Sequence, residues 1–188
     1  MDIHNVGNRA RPAGVPKTWK DKAGATFTFS AAWFYRDTNN TPQGVVARFD
    51  GESGKQVVPF FASNGRGGWK SKGPDKPVLF GAERLNGHHA PALVVEGEKA
   101  AAALHSLGLI AVSAQGGANN ADKGDWTALL GVPAVLFLPD NDLPGLKYCK
   151  DAAAALVALE TPDSPLPDLA LLKLPDLPDK GDVCDWLG

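Results

Sequence analysis

The chain has 188 residues, 44% of them hydrophobic, and this composition predicts a folded core and argues against intrinsic disorder. The formal net charge of -2 combines a basic half with an acidic half. Residues 1–90 hold 13 Lys and Arg against 7 Asp and Glu, whereas residues 91–188 hold 6 Lys, no Arg and 14 Asp and Glu. This asymmetry indicates a polyanion contact beside a cation site, although ordinary surface variation explains it equally well on charge alone.

Several classes of protein are disfavoured by features that the sequence lacks. No apolar run approaches the roughly 18 residues of a membrane span, and the first residues have no secretory signal core, so the expected compartment is the cytoplasm. Cys149 and Cys184 form no CxxC motif and have no nearby histidine. We therefore expect two free thiols and no zinc ribbon.

The first half of the chain predicts a small β-rich subdomain over residues 24–89, after a loose lead-in over residues 1–23 that is rich in Gly, Pro, Lys and Arg. Three segments with β-branched and aromatic residues are separated by turn sequences typical of hairpins, and lie at 26–35, 45–49 and 57–61. A basic, glycine-rich loop follows at 63–77. Residues 78–85 are interpreted as a short strand or a turn.

The second half, residues 90–188, alternates short apolar runs with segments of high helix propensity. The predicted strands lie at 92–95, 110–114, 133–139 and 168–175, and the predicted helices at 99–108, 122–130 and 146–160. This alternation is typical of a parallel sheet covered by helices. The predicted fold class is therefore α/β, a Rossmann-like parallel sheet flanked by helices and preceded by the β-rich subdomain.

Acidic side chains follow successive predicted strands, at the edge where open parallel sheets bind their ligands. Glu96 follows one strand, the pair Asp140 and Asp142 follows another, and Asp182 and Asp185 come after the last. Carboxylate oxygens are ligands that Mg²⁺ prefers. Each residue also has a plain alternative, a helix cap for Glu96 and a surface turn for the PDND sequence. Their order on successive strand ends is what indicates a metal site.

Further residues are candidates for contacts with nucleic acid or nucleotides. Gly116 and Gly117 follow a predicted strand, where a glycine pair lets backbone N–H groups approach a phosphate, and Lys99 could meet a phosphate or pair with Glu96. A plain turn and an ordinary helix lysine are the alternatives. A basic surface with an interleaved aromatic residue suits a single strand, its alternative being a solvated loop. Its candidate members are Arg48, Arg66, Trp69, Lys70, Lys72, Lys76 and Arg84.

Four segments of the second half, VVEGEKAAAAL, SAQGGAN, FLPDNDLPG and KGDVCDWL, together resemble the Toprim domain. This domain is shared by bacterial primases, phage primase-helicases, topoisomerases and some nucleases. The resemblance covers roughly residues 90–188 and is greatest to phage- and plasmid-type primases. Those proteins often carry an upstream segment similar to WFYRD, VARFD, GGWKSKG and KPVLFGAERL in this chain.

The resemblance implies that Glu96 is a metal ligand or an acid/base residue and that Asp140 and Asp142 are a metal-binding pair. It implies a further ligand or positioning role for Asp182. The sequence departs from the family pattern at Ala100, where many primases carry an acidic residue. It departs again in the Leu-Pro that follows Asp142, where a small or basic residue is commoner.

The activity that the resemblance implies is primer synthesis on single-stranded DNA from nucleoside triphosphates, with Mg²⁺ or Mn²⁺ as cofactor. The basic subdomain would hold template or primer, and a replicative helicase or further domains of a longer polypeptide are the expected partners. A Toprim nuclease is one alternative. A non-catalytic nucleic-acid-binding module of a replication protein is another, favoured by Ala100 and by the missing zinc ribbon. A topoisomerase is disfavoured because no second domain with a catalytic tyrosine is visible.

Overall fold

The structure is a computed structural model that describes residues 10–62, 69–70, 73–87 and 89–188. These residues form two compact units. The described part of the first lies within 10–35 and 42–75, and that of the second comprises 36–41 and 76–188. Residues 78–85 thus belong with the second unit, where Val78 and Phe80 form isolated β-bridges to Asp125 and Ser113.

The first unit is built on a five-stranded sheet in the order β1-β2-β3-β4-β5, with antiparallel pairing of β1 with β2, β3 with β4, and β4 with β5. Its strands are β1 (Thr18–Lys20), β2 (Thr26–Arg36), β3 (Pro42–Gly51), β4 (Gly54–Ala62) and β5 (Trp69–Lys70). The three predicted strands are confirmed within β2, β3 and β4. Alternate side chains form an apolar core, in which Phe49 and Phe60 lie within 6.5 Å of one another.

Strand β1 lies in the segment that the sequence predicted as a loose lead-in. It has three residues, too few for the alternation of apolar and polar side chains that identifies a strand. Trp19 at its centre packs against the rings of Phe49 and Phe60, each at 6.0 Å between centroids. Tertiary packing, which the local sequence does not display, therefore recruits this segment into the sheet.

The second unit is built on a four-stranded parallel sheet in the order β7-β6-β8-β9, which confirms the predicted α/β class. Its strands are β6 (Ala92–Val95), β7 (Ala111–Val112), β8 (Ala134–Leu138) and β9 (Asp168–Leu171), and its helices are α1 (Glu98–Ser106), α2 (Leu143–Val157) and α3 (Val183–Leu187). After β6 the chain forms β7, which pairs with one side of β6, and then β8, which pairs with the other side of β6. Strands β6 and β8 are therefore neighbours on either side of a topological switch point.

The predicted helix over 122–130 is wrong. Two short 3₁₀ helices, Ala121–Lys123 and Trp126–Leu129, stand in its place. The extended backbone of Gly124 interrupts them, and the buried Trp126 ring donates its Nε1–H to the Ala121 carbonyl at 2.8 Å. The burial of this large ring fixes the chain in a form that local helix propensity does not indicate.

Helix α2 packs on the sheet through a core that joins buried residues of three strands to its inner side. The sheet contributes Ala92, Val94, Val112, Val135 and Phe137, and the helix contributes Tyr148, Cys149, Ala152 and Leu156. Cys149 and Cys184 are buried free thiols, as expected. In the part of the chain that the structure describes, no helix has the length and apolar character needed to cross a bilayer.

A buried hydrogen bond ties α2 to the segment that follows β7. The Ala114 N–H donates to the Tyr148 hydroxyl at 2.7 Å, and both residues are almost fully buried. A buried N–H without an acceptor is costly because it cannot return to water. The tyrosine hydroxyl thus stabilises the chain path that leads towards Gly116 and Gly117.

We expect Tyr148→Phe to destabilise the protein by about 1–3 kcal/mol, because it leaves the Ala114 N–H buried without an acceptor. Urea unfolding followed by circular dichroism measures the change. Trp186→Phe is a suitable control, since Trp186 is an aromatic side chain that is 46% exposed. An unfolding midpoint equal to that of the wild type would contradict the role given to the hydroxyl.

His105, near the end of α1, is held in its neutral form. Its Nε2–H donates to the Ala111 carbonyl at 2.7 Å, and its ring stacks on Phe80 with centroids 5.5 Å apart. Burial lowers the pKa of His105 to about 4, the bond to Ala111 opposes this, and the positive charge of Arg84 adds to the lowering. The folded state therefore binds a proton at this ring less readily than the unfolded state.

Because the unfolded imidazole titrates near 6.5 and the folded one near 4, the contribution of His105 to stability is complete above 6.5 and is lost as the pH falls towards 4. The free energy of unfolding of the wild type should therefore fall between about pH 7 and about pH 5. In His105→Gln this fall should be smaller by roughly 1 kcal/mol. Urea titrations at both pH values measure this difference. The exposed His89 offers the control His89→Gln, and equal pH slopes in all three proteins would contradict the prediction.

Candidate functional site

The two central strands of the parallel sheet bring the first two predicted acidic positions to the same edge. Val95, the last residue of β6, pairs with Leu138, the last residue of β8. Glu96 follows Val95 directly and Asp140 lies two residues after Leu138. Ligands of open α/β sheets bind at such a switch point, beyond the carboxyl ends of the strands.

Asp140 is half-buried, as Glu96 is, and its surroundings are strongly negative. Burial raises the pKa of Asp140, and the negative charges of Glu96, Asp182, Asp142 and Asp185, in decreasing order, raise it as well, so that together they bring it to about 7. The other four predicted carboxylates therefore all lie close enough to Asp140 to act on it electrostatically. A cation at this place would relieve the repulsion between them.

Glu96 is positioned by the turn that carries the predicted glycine pair. Its Oε1 accepts a hydrogen bond from the Ala118 N–H at 3.1 Å. Gly116 and Gly117 have φ angles of 89° and 63°, and a Cβ on Gly117 would lie 3.1 Å from Glu96 Oε1. Burial raises the pKa of Glu96, the bond from Ala118 lowers it, and the charge of Asp142 raises it. The glycine turn therefore serves this carboxylate directly, and its use for phosphate stays a prediction.

Asp142 is the N-cap of helix α2. One of its carboxylate oxygens therefore has the structural role that the sequence offered as the alternative to metal binding. Its Oδ1 accepts a hydrogen bond from the Gly145 N–H at 2.7 Å. A Cβ on Gly145 would lie 2.7 Å from the Asp140 carbonyl oxygen, so only glycine allows the turn to close this tightly. The cap fixes the carboxylate beside Asp140 and leaves Oδ2 outside that bond.

Asp182 caps helix α3, a helix that the sequence analysis missed. Its Oδ1 accepts from the N–H groups of Cys184 and Asp185 at 2.6 and 3.2 Å, and Asp185 returns a bond by accepting from the Asp182 N–H at 2.8 Å. This reciprocal pair is a capping box. An acidic residue followed three positions later by another was the available sequence signal. Helix α3 also carries Trp186, which is 46% exposed.

Lys99 pairs with Asp182 and not with Glu96. Its Nζ lies 3.4 Å from Asp182 Oδ2, and both side chains are partly exposed. The pair joins the first turn of α1 to the cap of α3. A partly exposed ion pair of this kind contributes little to stability, so Lys99 could leave Asp182 for a phosphate at little cost. A contact of Lys99 with phosphate stays a prediction.

Ala100, the position where many primases carry an acidic residue, is 2% exposed. A carboxylate at this position would lose its hydration, which costs several kcal/mol unless a partner compensates, by the rough scale for buried charges. Local packing around α1 therefore accounts for the alanine. The departure removes one candidate ligand and leaves the other carboxylates in place.

The donor chemistry at this edge fits Mg²⁺ or Mn²⁺, because all of the candidate groups are carboxylates. In the part of the chain that the structure describes, no three His, Cys, Asp or Glu side chains are gathered closely enough to form a complete ligand set. Mg²⁺ keeps several waters and needs only one or two direct carboxylates. Glu96, Asp140 and Asp142 stay the predicted ligands, of which one or two would bind the ion directly, and Asp182 stays a further candidate.

A pocket of about 490 Å³ adjoins the pair Asp140 and Asp142. It lies between the turn after β8 and the loop that leads to α3, and its walls are partly apolar. Lys173 and Lys180 contribute cations to it and Asp179 adds a carboxylate, and the apolar lining comes from Pro139, Leu143, Pro144, Leu146, Leu174 and Leu177. These two lysines were not predicted as site residues, because their only signal in the sequence is the scarcity of cations in the acidic half.

The predicted basic surface is described only in part. Arg66 and Lys72 lie outside the described residues, and Trp69 and Lys70 are described only through the backbone of β5. Arg48 on β3 pairs with Asp50, its Nη2 lying 2.8 Å from Oδ1. Arg84 is exposed at the end of the short helix Ala82–Arg84 in the second unit. A role for these residues in nucleic-acid binding stays a prediction.

Comparison with solved structures identifies relatives of this fold. The chain is similar to the E. coli primase catalytic core with a TM-score of 0.60 and 19% identity, over 92% of this chain and 54% of that one. The fold of this chain is thus similar to about half of a primase catalytic core. It is also similar to a DnaG primase catalytic domain bound to ssDNA, with a TM-score of 0.57 and 18% identity over 91% of this chain and 53% of that one.

A third similar structure is the Aquifex aeolicus primase with its zinc-binding and RNA polymerase domains, at a TM-score of 0.56 and 18% identity. It is matched over 91% of this chain and 40% of that one. The chain thus spans about half the length of the solved primases that it resembles. No family model and no curated protein sequence matches it. At these identities the similarity concerns the fold.

Without metal at about pH 8, we expect Asp140→Asn to raise the melting temperature by roughly 2–4 °C, because it removes a half-buried charge from a negative cluster at a gain of about 1 kcal/mol. Millimolar MgCl₂ should raise the melting temperature of the wild type and leave that of the variant nearly unchanged. Thermal unfolding by circular dichroism measures both effects.

The control is Asp163→Asn, which removes an exposed carboxylate from the turn between α2 and β9. This control should respond to MgCl₂ as the wild type does. An equal response of the Asp140→Asn protein to MgCl₂ would contradict the assignment of Asp140 to a cation site.

Proposed function

We propose that this protein is a primase-type nucleotidyltransferase core that synthesises primers on single-stranded DNA. The proposal is supported by one observation above the others. In a fold shared with primase catalytic cores, Glu96 and Asp140 follow two hydrogen-bonded parallel strands at the switch point of the sheet. That edge is where α/β proteins bind nucleotides and their metal ions.

Under this proposal Glu96, Asp140 and Asp142 hold Mg²⁺ or Mn²⁺, and Asp182 is a further ligand or positioning residue. When bound, such an ion would supply positive charge to offset that of the phosphate and would lower the pKa of the attacking oxygen. The half-buried Asp140 lies in low dielectric, where its charge acts strongly on a bound ion. The Ala118 N–H holds Glu96 at one oxygen and so orients the other.

The pocket beside Asp142 supports a nucleoside triphosphate as the substrate of this site. Lys173 and Lys180 are suited to bind phosphate oxygens, and the apolar lining suits a base or sugar. The volume of about 490 Å³ lies in the range of small-molecule sites. We assign phosphate binding to the lysines and leave the choice between ribo- and deoxynucleotides to experiment.

The finer assignment is a primase of the phage or plasmid type, whose basic β-rich subdomain holds template or primer. Support comes from the motifs EGEK, PDND and KGDVCDW and from the excess of Lys and Arg before residue 90. Single-stranded DNA is the proposed template, and a replicative helicase or further domains of a longer polypeptide are the proposed partners. A Toprim nuclease would use the same carboxylates to cleave a strand.

A non-catalytic nucleic-acid-binding module is the second candidate, and two observations favour it. Asp142 and Asp182 each give one oxygen to a helix cap, and Ala100 is buried where an acidic residue is expected. Under this alternative the same edge of the sheet would bind a strand without joining or cleaving it. The experiment below separates the three activities.

The test is to incubate the full chain with single-stranded DNA, labelled nucleoside triphosphates and Mg²⁺ or Mn²⁺. We expect products longer than the starting nucleotides whose sequence depends on the template. Asp140→Ala and Glu96→Gln should each reduce product formation on the order of 100-fold or more, since each removes a charged group from the reacting centre. Gel separation of the products measures the rate.

The control Asp163→Asn should retain full product formation. Shortened DNA in place of new products would support the nuclease instead. Binding of DNA with neither outcome would support the non-catalytic module. Full activity of the Asp140→Ala protein would contradict the metal site itself.

A further inference from the structure

Asn141, the residue between Asp140 and Asp142, makes four hydrogen bonds to the loop that precedes α3. Its side-chain Nδ2–H groups donate to the Leu177 and Pro178 carbonyls at 2.8 and 3.0 Å. Its backbone N–H donates to the Gly181 carbonyl at 2.9 Å, and its own carbonyl accepts from the Lys180 N–H at 3.1 Å. One residue thus ties the turn after β8 to the 177–181 segment.

The chemistry of these contacts selects asparagine. The side chain faces two carbonyl oxygens, so it must present two donors, and an amide NH₂ group supplies both. An aspartate of the same shape would direct its oxygens at these carbonyls and lose both hydrogen bonds. It would also add a charge between Asp140 and Asp142, which already repel each other.

The segment that Asn141 holds has an unfavourable backbone conformation and leads directly to a candidate ligand. Lys180 has a φ angle of 59°, in the left-handed region that non-glycine residues rarely adopt. Gly181 comes next, and Asp182 follows it as the cap of α3. The bonds from Asn141 therefore hold Asp182 in its place relative to the pair on the other side of Asn141.

We propose that Asn141 is a positioning residue that joins the two carboxylate-bearing loops of the site into one ligand frame. The inference rests on the proposed function, because it gives Asn141 a role in holding the cation ligands. The same clamp fixes one wall of the pocket that Lys173 and Lys180 line. When the side-chain bonds are removed, Asp182 moves independently of Asp140 and Asp142, and the cation is bound less tightly.

The test compares Mn²⁺ binding by the wild type, Asn141→Ala and Asn141→Gln, measured by electron paramagnetic resonance of free Mn²⁺. We expect Asn141→Ala to weaken Mn²⁺ binding on the order of 10-fold, the lower end of the effect that partners of metal ligands have. Asn141→Gln, which keeps both amide donors on a longer side chain, should restore part of the affinity. Hydrogen exchange of the Lys180 amide should be faster in Asn141→Ala than in the wild type.

Asn86→Ala is the matched control, since Asn86 is an exposed asparagine in the turn after the helix Ala82–Arg84 and lies outside the carboxylate loops. It should bind Mn²⁺ as the wild type does. Faster exchange at Lys180 with unchanged Mn²⁺ affinity would show a merely structural clamp and overturn the inference. Unchanged exchange and affinity would overturn it as well. If the wild type and Asp140→Asn proteins both fail to bind Mn²⁺, the proposed function fails, and the inference fails with it.

Discussion

The parallel pairing of β6 with β8 is the interaction on which the candidate site depends. Four residue pairs, from Ala92 with Val135 to Val95 with Leu138, fix the register of these strands. Because both strands end at the same level, the residues that follow them emerge side by side. A shift of one residue would also turn the buried side chains of β8 away from α2. The hydrophobic core therefore enforces the register that gathers Glu96 and Asp140.

A second constraint is that backbone N–H groups hold the carboxylates by one oxygen each. Ala118 binds Glu96, Gly145 binds Asp142, and the first turn of α3 binds Asp182. Charge-assisted bonds of this kind orient a carboxylate while leaving its second oxygen for another partner. Asp140 differs, since burial and its negative neighbours dominate its environment. The site thus combines three restrained carboxylates with one that is electrostatically unfavourable in the absence of a cation.

The strands and long helices could be predicted because their signals are local. The run ALVV before Glu96 and the run AVLFL before Pro139 are short, apolar and bounded by breakers, and both are strands in the structure. The order of the acidic residues then placed them at one edge without any knowledge of distances. The fold class and the placement of Glu96 and Asp140 at one edge of the sheet were therefore accessible from the sequence.

Other features depended on contacts between distant residues and could not be predicted in this way. The segment around Trp126 contains good helix formers, yet burial of the indole selects short 3₁₀ turns instead. Asn141 belonged to a sequence that reads equally well as a surface turn, and its partners lie more than 30 residues along the chain. The pairing of Lys99 with Asp182 required knowledge that the α3 cap lies beside α1. Local propensity carries no information about such partners.

The capping box of α3 links the Asp182 carboxylate to the position of a tryptophan side chain. Asp182 holds the first turn of a helix of only five residues, and Trp186 lies within that helix. Short helices depend on their caps because few internal hydrogen bonds support them. Any ligand that draws the Asp182 carboxylate away from the backbone amides will therefore alter the environment of a partly exposed indole. Under the proposed function, a ligand that binds Asp182 at this edge of the sheet would therefore be expected to change the fluorescence of Trp186.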